Sequence, residues 1–352
     1  MKIALLTIWH EKNYGAELQT YATVKALKSL GHQVEVVNYL LGYNESPTIK
    51  QRGIAMLTFF TKQDWKFRRF WKRHIPAGRF YRSLDELKRN PPIADLYLVG
   101  SDQVWNPLIT KEKASAYFLD FGDKDARRAS YASSFGSDEW KGDAALTEIA
   151  RQRLKQMEAV SCREQSGVKL LNDVFGVDAV NVLDPTLLHK SYPELTGEII
   201  ETNTLAFYPL SGYPGLESFC RELASLQGLE FVNVNKKTYM IRRIAWDRPG
   251  VEEWVKSIAG ARLVVTPSFH GLAFSLIYHR QFVVVQNENG GAVSTRIKSL
   301  LNLLGLEDRF FTSIDQLRHS DILSKEIDYE TVDARLERLR KESNDYLRKL
   351  LT

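Results

Sequence analysis

Cysteine is nearly absent: the 352-residue chain has two, Cys162 and Cys220, far apart and each among apolar neighbours. That excludes a disulfide scaffold and a cysteine zinc site, and leads us to expect a cytoplasmic protein rather than one from an oxidising compartment. No apolar run approaches the roughly 20 residues of a membrane span. The opening Met1-Lys2-Ile3-Ala4-Leu5-Leu6-Thr7-Ile8 is too short for a signal peptide and lacks a small-residue cleavage site, so it reads as a first buried strand. There is no GxGxxG loop, no His-x-x-x-His pair, no low-complexity tract and no repeat of fixed period. A dinucleotide fingerprint, a paired-histidine metal site and a solenoid are therefore not expected.

What is present is an ordinary globular composition, 44% hydrophobic and 26% charged, at a length that suggests two domains. The net charge of +5 is unevenly spread. Residues 50–89 hold 12 Lys/Arg against 3 Asp/Glu, while the other 312 residues hold 36 against 40. The same 40 residues hold 8 of the 39 aromatic side chains (Phe59, Phe60, Trp65, Phe67, Phe70, Trp71, Phe80 and Tyr81).

Short β-rich runs alternate with helical patterns. Strands are expected at 2–8, 33–39, 96–101, 130–135, 160–163 and 180–183, and a second group at 204–210, 230–235, 262–266 and 282–286. The βαβα order implies parallel sheets with helices on both faces, and two groups imply two sheets. In the first helix, Leu18, Ala22, Ala26 and Leu30 form one i+4 row and Tyr21, Val24 and Leu27 its neighbour, with Gly31 placed to end it. We expect an N-terminal Rossmann-like domain over 1–190 with a basic aromatic helical insertion at 45–92. A second such domain is expected over 191–328. An amphipathic helix over 329–352 would cross back; Val332, Leu336, Leu339, Tyr346 and Leu350 share its apolar face.

Four segments lie where strands run into helices, the places at which open α/β sheets bind ligands. Asn13-Tyr14-Gly15 follows the first strand; it serves either as a tight turn or as an anion site at a helix start. Gly100-Ser101-Asp102-Gln103-Val104-Trp105-Asn106 ends an apolar strand. Asp102 is there either a helix cap or a base for a hydroxyl, and Trp105 a surface on which a sugar would stack. Arg163 ends another strand, either clamping a carboxylate or phosphate or locked in an ion pair with Asp184. Ser268-Phe269-His270-Gly271 opens an apolar helix; an anion bound there would meet backbone amides, the helix dipole and an imidazole able to act as an acid. The other six histidines, His10 among them, show no comparable setting.

Taken in order, these segments resemble the polysaccharide pyruvyl transferase family. The likeness also includes Ser130-Tyr131-Ala132-Ser133-Ser134-Phe135-Gly136, Val182-Leu183-Asp184-Pro185-Thr186, and Arg296 with Leu300, Leu301, Leu304-Gly305-Leu306 and Asp308-Arg309. One position departs: the residue before Ser-Phe-His-Gly, often Asp in that family, is Pro267. The resemblance implies a GT-B-like fold of two Rossmann-like domains, the donor bound by the second (191–328), with the site in their cleft. It implies phosphoenolpyruvate as donor substrate, a sugar diol as acceptor, a pyruvate ketal as product, and no cofactor or metal. On that footing the catalytic set is His270, Arg163 and Asp102. Substrate contacts are expected from Asn13, Tyr14, Gly15, Ser101, Gln103, Trp105, Ser268, Phe269, Gly271 and Arg296. A GT-B-type glycosyltransferase using a nucleotide sugar, or a non-catalytic relative, remains an alternative; stabilisation by phosphoenolpyruvate as against UDP- or GDP-sugars separates them.

The basic stretch has two readings. Phe67, Phe70, Trp71 and His74 at helical spacing suit helices packed on the first sheet with Lys/Arg in water. Alternatively, residues 50–89 form a surface for an anionic, lipid-pyrophosphate-linked acceptor at the inner membrane face. Nucleic acid is not expected as a partner, since no binding signature accompanies the charge.

Overall fold

Each expected βα alternation closes into a parallel sheet, because apolar strands buried on both faces need helical crossovers to return in the same direction. The computed structural model describes every residue except 45, 124, 211–212, 242–243 and 288–291. Two compact units emerge: Met1–Ser46, Trp71–Leu188 and Glu337–Thr352 form the first, Pro47–Phe70 and His189–Leu336 the second. The stretch expected as one insertion, 45–92, is divided by this grouping. The final helix, Tyr329–Leu350, has its first turns in the second unit and the remainder in the first.

In the first unit β1 (Lys2–Leu6), β2 (Gln33–Asn38), β3 (Ala77–Phe80), β4 (Leu96–Val99) and β5 (Arg127–Ser130) form one sheet in the order β3-β2-β1-β4-β5. All of its pairings are parallel. A two-stranded piece, β6 (Ser161–Cys162) with β7 (Val180–Asn181), continues it through single bridges. In the second unit β8 (Thr204–Phe207), β9 (Glu230–Asn233), β12 (Leu263–Thr266), β13 (Gln281–Val285) and β14 (Phe310–Phe311) form a second parallel sheet, order β14-β13-β12-β8-β9. Between them in sequence lies an antiparallel pair, β10 (Thr238–Ile241) and β11 (Ile244–Asp247). Each sheet has its own apolar core; Leu6, Val99, Trp105, Phe118 and Phe135 belong to the first, Phe207, Val265, Val283 and Phe219 to the second.

Local signals account for the helix ends. Asn13 caps the helix Tyr14–Ser29 through Oδ1 and the Gly15 amide (3.0 Å), and Gly31 at φ +86° closes it as its position predicts. One expected strand differs. Residues 130–135 contribute only Ser130 to β5; beyond it Ser133 makes single bridges to Asp102 and Cys162, and serine hydroxyls enter the pairing. Ser130 Oγ donates to Ser161 O, Ser161 Oγ donates to Ser130 O, and the Ala132 amide donates to Ser161 Oγ. Side chains that hydrogen-bond the main chain in this way compete with a continuous ladder.

The buried stripe of the last helix runs Val332, Leu336, Arg340, Ser343, Leu347 and Leu350, so two polar residues sit in it. Their partners explain them: Arg340 Nε donates to Leu187 O (2.7 Å) and Ser343 Oγ accepts the Leu183 amide (2.9 Å). Among the described residues no helix is long and apolar enough to cross a membrane.

Candidate active site

Strand order identifies where each unit should bind a ligand. The first sheet reverses direction of winding between β1 and β4, the second between β8 and β12. The crevice outside the carboxyl ends of such a strand pair is the ligand-binding position of doubly wound sheets. Three of the four segments singled out in the sequence follow those strands: Asn13-Tyr14-Gly15 after β1, Ser101-Asp102-Gln103 after β4, and Ser268-Phe269-His270-Gly271 after β12.

In the first unit the two strand ends are tied together. Thr7 Oγ1 donates to Ser101 O (2.8 Å), and Gln19 Nε2 donates to Ile8 O (2.9 Å). Gly100 is a close approach: a Cβ there would stand 3.0 Å from Leu5 Cδ1 and 3.1 Å from Thr7 Cβ. Asp102 follows in the left-handed region at φ +74°, with its side chain 17% exposed and Oδ1 accepting the Gln103 amide (2.9 Å). Strain of this kind at a strand end is common where a side chain is aimed at a ligand.

Arg163 lies beside it. Its Nη1 is 2.5 Å from Asp184 Oδ2 and its Nη2 is 3.7 Å from Asp102 Oδ1. Asp184 is saturated. Oδ2 also accepts from Ser101 Oγ (3.1 Å), while Oδ1 accepts from the Thr186 amide (3.0 Å) and Thr186 Oγ1 (2.6 Å). Burial works against the guanidinium charge, but the carboxylates of Asp184, Asp102 and Glu164 outweigh it and raise the Arg163 pKa. Of the two sequence readings of Arg163, the ion pair with Asp184 is present, and the other edge of the guanidinium faces Asp102. Glu164 is buried and joins this segment to the serine-rich one, Oε1 accepting from Ser134 Oγ (2.8 Å) and the Phe135 amide (3.0 Å).

In the second unit Ser268 caps the helix Phe269–Ile277, its Oγ accepting the Gly271 amide (3.3 Å). His270 is the second residue of that helix and 7% exposed. Gly271 is required by packing, since a Cβ would meet Thr266 Oγ1 at 2.5 Å. Thr266 Oγ1 cannot swing aside cheaply: it donates to Tyr208 O (3.1 Å) and accepts the Ser268 amide (3.0 Å). Backbone amides, dipole and imidazole thus coincide at one helix start, the setting suited to an anion. Pro267 contributes its carbonyl to Gln286 Nε2 (2.8 Å). Arg296 is 6% exposed, in the helix Ala292–Leu304 of the same unit.

The expected substrate contacts differ in burial. Trp105 is fully buried, donates Nε1 to Tyr117 O (3.0 Å) and packs on Phe118 and Phe135, so it is core rather than a stacking surface for sugar. Ser101 is fully buried, its hydroxyl committed to Asp184. Tyr14, Ser268 and Phe269 are at most 5% exposed. Asn13 is exposed beyond its cap, and Gln103 is half-buried with Oε1 accepting from Asn106 Nδ2 (2.9 Å).

Two residues of the first unit were overlooked. Glu17 is fully buried and accepts from Trp71 Nε1 (2.7 Å) and from the amides of Lys12 (3.2 Å) and His10 (3.4 Å). Burial raises its carboxyl to about 7 in spite of those donors. His10, set aside in the sequence reading, stacks on Trp71 at 3.6 Å between ring centroids. The available signal was a lone acid between Ala16 and Leu18 in a helix apolar on nearly every face.

The fold is that of GT-B-like α/β proteins. A UDP-GlcNAc 2-epimerase from Methanocaldococcus jannaschii matches over 96% of this chain and 92% of its own, at 8% identity and a TM-score of 0.50. A Listeria monocytogenes protein assigned to the same enzyme type matches over 96% and 91%, at 13% identity and a TM-score of 0.50. A spinosyn rhamnosyltransferase aligns over 100% of both chains at 12% identity and a TM-score of 0.47. Among curated proteins none matches. Residues 13–289 match the polysaccharide pyruvyl transferase family, and the chain belongs to it. It is accordingly a transferase, of the class that transfers pyruvyl groups in polysaccharide biosynthesis.

Proposed function

We propose that the enzyme transfers pyruvate from phosphoenolpyruvate to two hydroxyls of one sugar, forming a cyclic ketal and releasing phosphate. The observation that carries this reading is the family match over 13–289, which spans Asp102, Arg163 and His270. The donor is an anion twice over, with a carboxylate and a phosphate on one enol carbon. The positive dipole end of the helix Phe269–Ile277 and His270 in its first turn are the proposed site for the phosphate. Arg163, with Nη1 held by Asp184 and Nη2 facing Asp102, is the proposed counter-charge for the carboxylate.

Protonation of the methylene carbon makes the neighbouring carbon oxocarbenium-like. A sugar hydroxyl forms a C–O bond there, and its proton passes to Asp102. The second hydroxyl forms the other C–O bond as the bond to phosphate oxygen breaks and phosphate departs with the electron pair. Of the two hydroxyl protons, one replaces the proton delivered to carbon and the other leaves on phosphate. His270 is the proposed source of the carbon-bound proton. The acceptor is a sugar of the polysaccharide or of its lipid-pyrophosphate-linked precursor, met on the cytoplasmic side.

Purified protein, phosphoenolpyruvate and a galactose- or mannose-type acceptor should yield free phosphate and the NMR methyl signal of a ketal. His270→Ala should lower turnover about 10²–10⁴-fold, the usual worth of a general acid. Full activity in that variant would remove His270 from the mechanism. Stabilisation by UDP- or GDP-sugars and not by phosphoenolpyruvate would overturn the reading as a whole.

A further inference from the structure

The helix Ile49–Phe59 is unusual in the second unit: it is described throughout, and none of its residues is buried. Eleven residues are too few for a helix to persist in water on propensity alone. A capping box, Thr48 Oγ1 with the Gln51 amide and Gln51 Oε1 with the Thr48 amide, supports its start. Its apolar residues occupy more than one side, with Ile54, Ala55 and Phe59 apart from the most exposed row. Ile49, Gly53, Met56, Leu57 and Phe60 recur at i, i+4, i+7, i+8 and i+11, which places them on one face. The most exposed large apolar side chains of the segment lie on that line: Ile49 at 90%, Met56 at 67% and Phe60 at 66%. Leu57 on the line (46%) and Ile54 (44%) and Phe59 (49%) off it are less exposed, and the Arg68 guanidinium covers the Phe59 ring at 3.7 Å.

Charge frames the stripe. Lys50 and Arg52 flank it on opposite sides, and the helix has no acid in its first turn. Across Pro47–Phe70 there are six Lys/Arg and one acid, Asp64. Asp64 pairs with Arg68 (2.6 Å), and Lys66 is taken up by Asp247 (2.9 Å) and Glu253 (3.0 Å). Lys50, Arg52, Lys62 and Arg69 remain as exposed cations, with Trp65, 55% exposed, beneath the Arg69 guanidinium.

We propose that this face docks on an anionic lipid bilayer, with Ile49, Met56, Leu57 and Phe60 entering the acyl boundary and the four cations meeting phosphate headgroups. A strip of aliphatic side chains is wasted on a nucleic-acid backbone. A second copy of the chain is disfavoured because a two-fold contact would bring two sets of these cations together, with Asp64, already paired with Arg68, as the one acid of the segment. The proposal is independent of the ketal chemistry, which phosphate release from a soluble acceptor tests separately.

The test is sedimentation with vesicles of phosphatidylcholine alone or with 30 mol% phosphatidylglycerol added, a composition chosen at roughly the anionic content of such membranes. Retention is expected on the anionic vesicles at low salt and release at high salt. Lys50→Gln with Arg52→Gln should weaken partitioning about 30-fold, roughly fivefold per cation. Met56→Asp with Phe60→Asp should abolish retention while melting temperature and phosphate release from a soluble acceptor stay unchanged. No retention on anionic vesicles at low salt would overturn the proposal. Equal retention on neutral vesicles would also overturn it, as would wild-type dimers that the Met56→Asp/Phe60→Asp variant fails to form.

Discussion

Removing Asp184 should destabilise the first unit and reveal what Arg163 does. The carboxylate is 1% exposed, and four groups donate to it: Arg163 Nη1, Ser101 Oγ, the Thr186 amide and Thr186 Oγ1. Asp184→Ala leaves a guanidinium whose side chain is 1% exposed without its closest anion. Breaking a buried pair from one side costs about 3–5 kcal/mol, a large fraction of the stability of a domain. With a urea dependence of about 2 kcal/mol per molar, the unfolding midpoint should fall by about 1.5–2.5 M, measured by circular dichroism. Asp184→Asn keeps the shape and the Thr186 contacts, so it should fall less. The double variant Arg163→Met/Asp184→Asn removes both charges while keeping an acceptor for the Thr186 donors, and should recover part of the loss. A loss under about 1 kcal/mol in Asp184→Ala would refute the ion-pair reasoning. The double variant also divides the two roles of Arg163. If it is stable yet releases no phosphate, the arginine does more than hold the fold.

Glu17 predicts an inverted pH dependence. Its folded-state pKa, about 7, lies above the ordinary value of 4.5, because burial disfavours the charge. Its contribution is complete below pH 4.5 and is lost as pH rises through about 7, a fall of about 3 kcal/mol by linkage. Comparing melting temperatures of wild type and Glu17→Gln from pH 4.5 to 8 isolates this component; a pH-independent difference would contradict it. Gly271→Ala should lower stability by about 1–3 kcal/mol through overpacking against Thr266. An unchanged melting temperature in that variant would mean the helix start yields easily, and that His270 is not held by it.

Much of the architecture was legible because its signals are local. Strand runs, the two apolar rows of the first helix, Gly31 beyond its end and the segments after β1, β4 and β12 all depend on periods and caps within about ten residues. Buried Phe67, Phe70 and Trp71 follow from helical spacing in the same way. The strand expected over 130–135 failed because Ser130 and Ser161, 31 residues apart, exchange hydrogen bonds that no spacing announces. Trp105 failed for a related reason: the same side chain suits a sugar face or a core, and the neighbours supplied by Phe118 and Phe135 decide.

The sequence by itself therefore determined the class of fold, the family and the strand-end segments in which chemistry is sought, since each is written in short-range pattern and in order along the chain. Tertiary structure alone decided which residues meet: Arg163 with Asp184 and Asp102, Glu17 with Trp71, and Thr7 with Ser101. The reason is physical. Partner choice follows from strand order, and strand order is a long-range outcome of burying two sheets, not a property of any one segment.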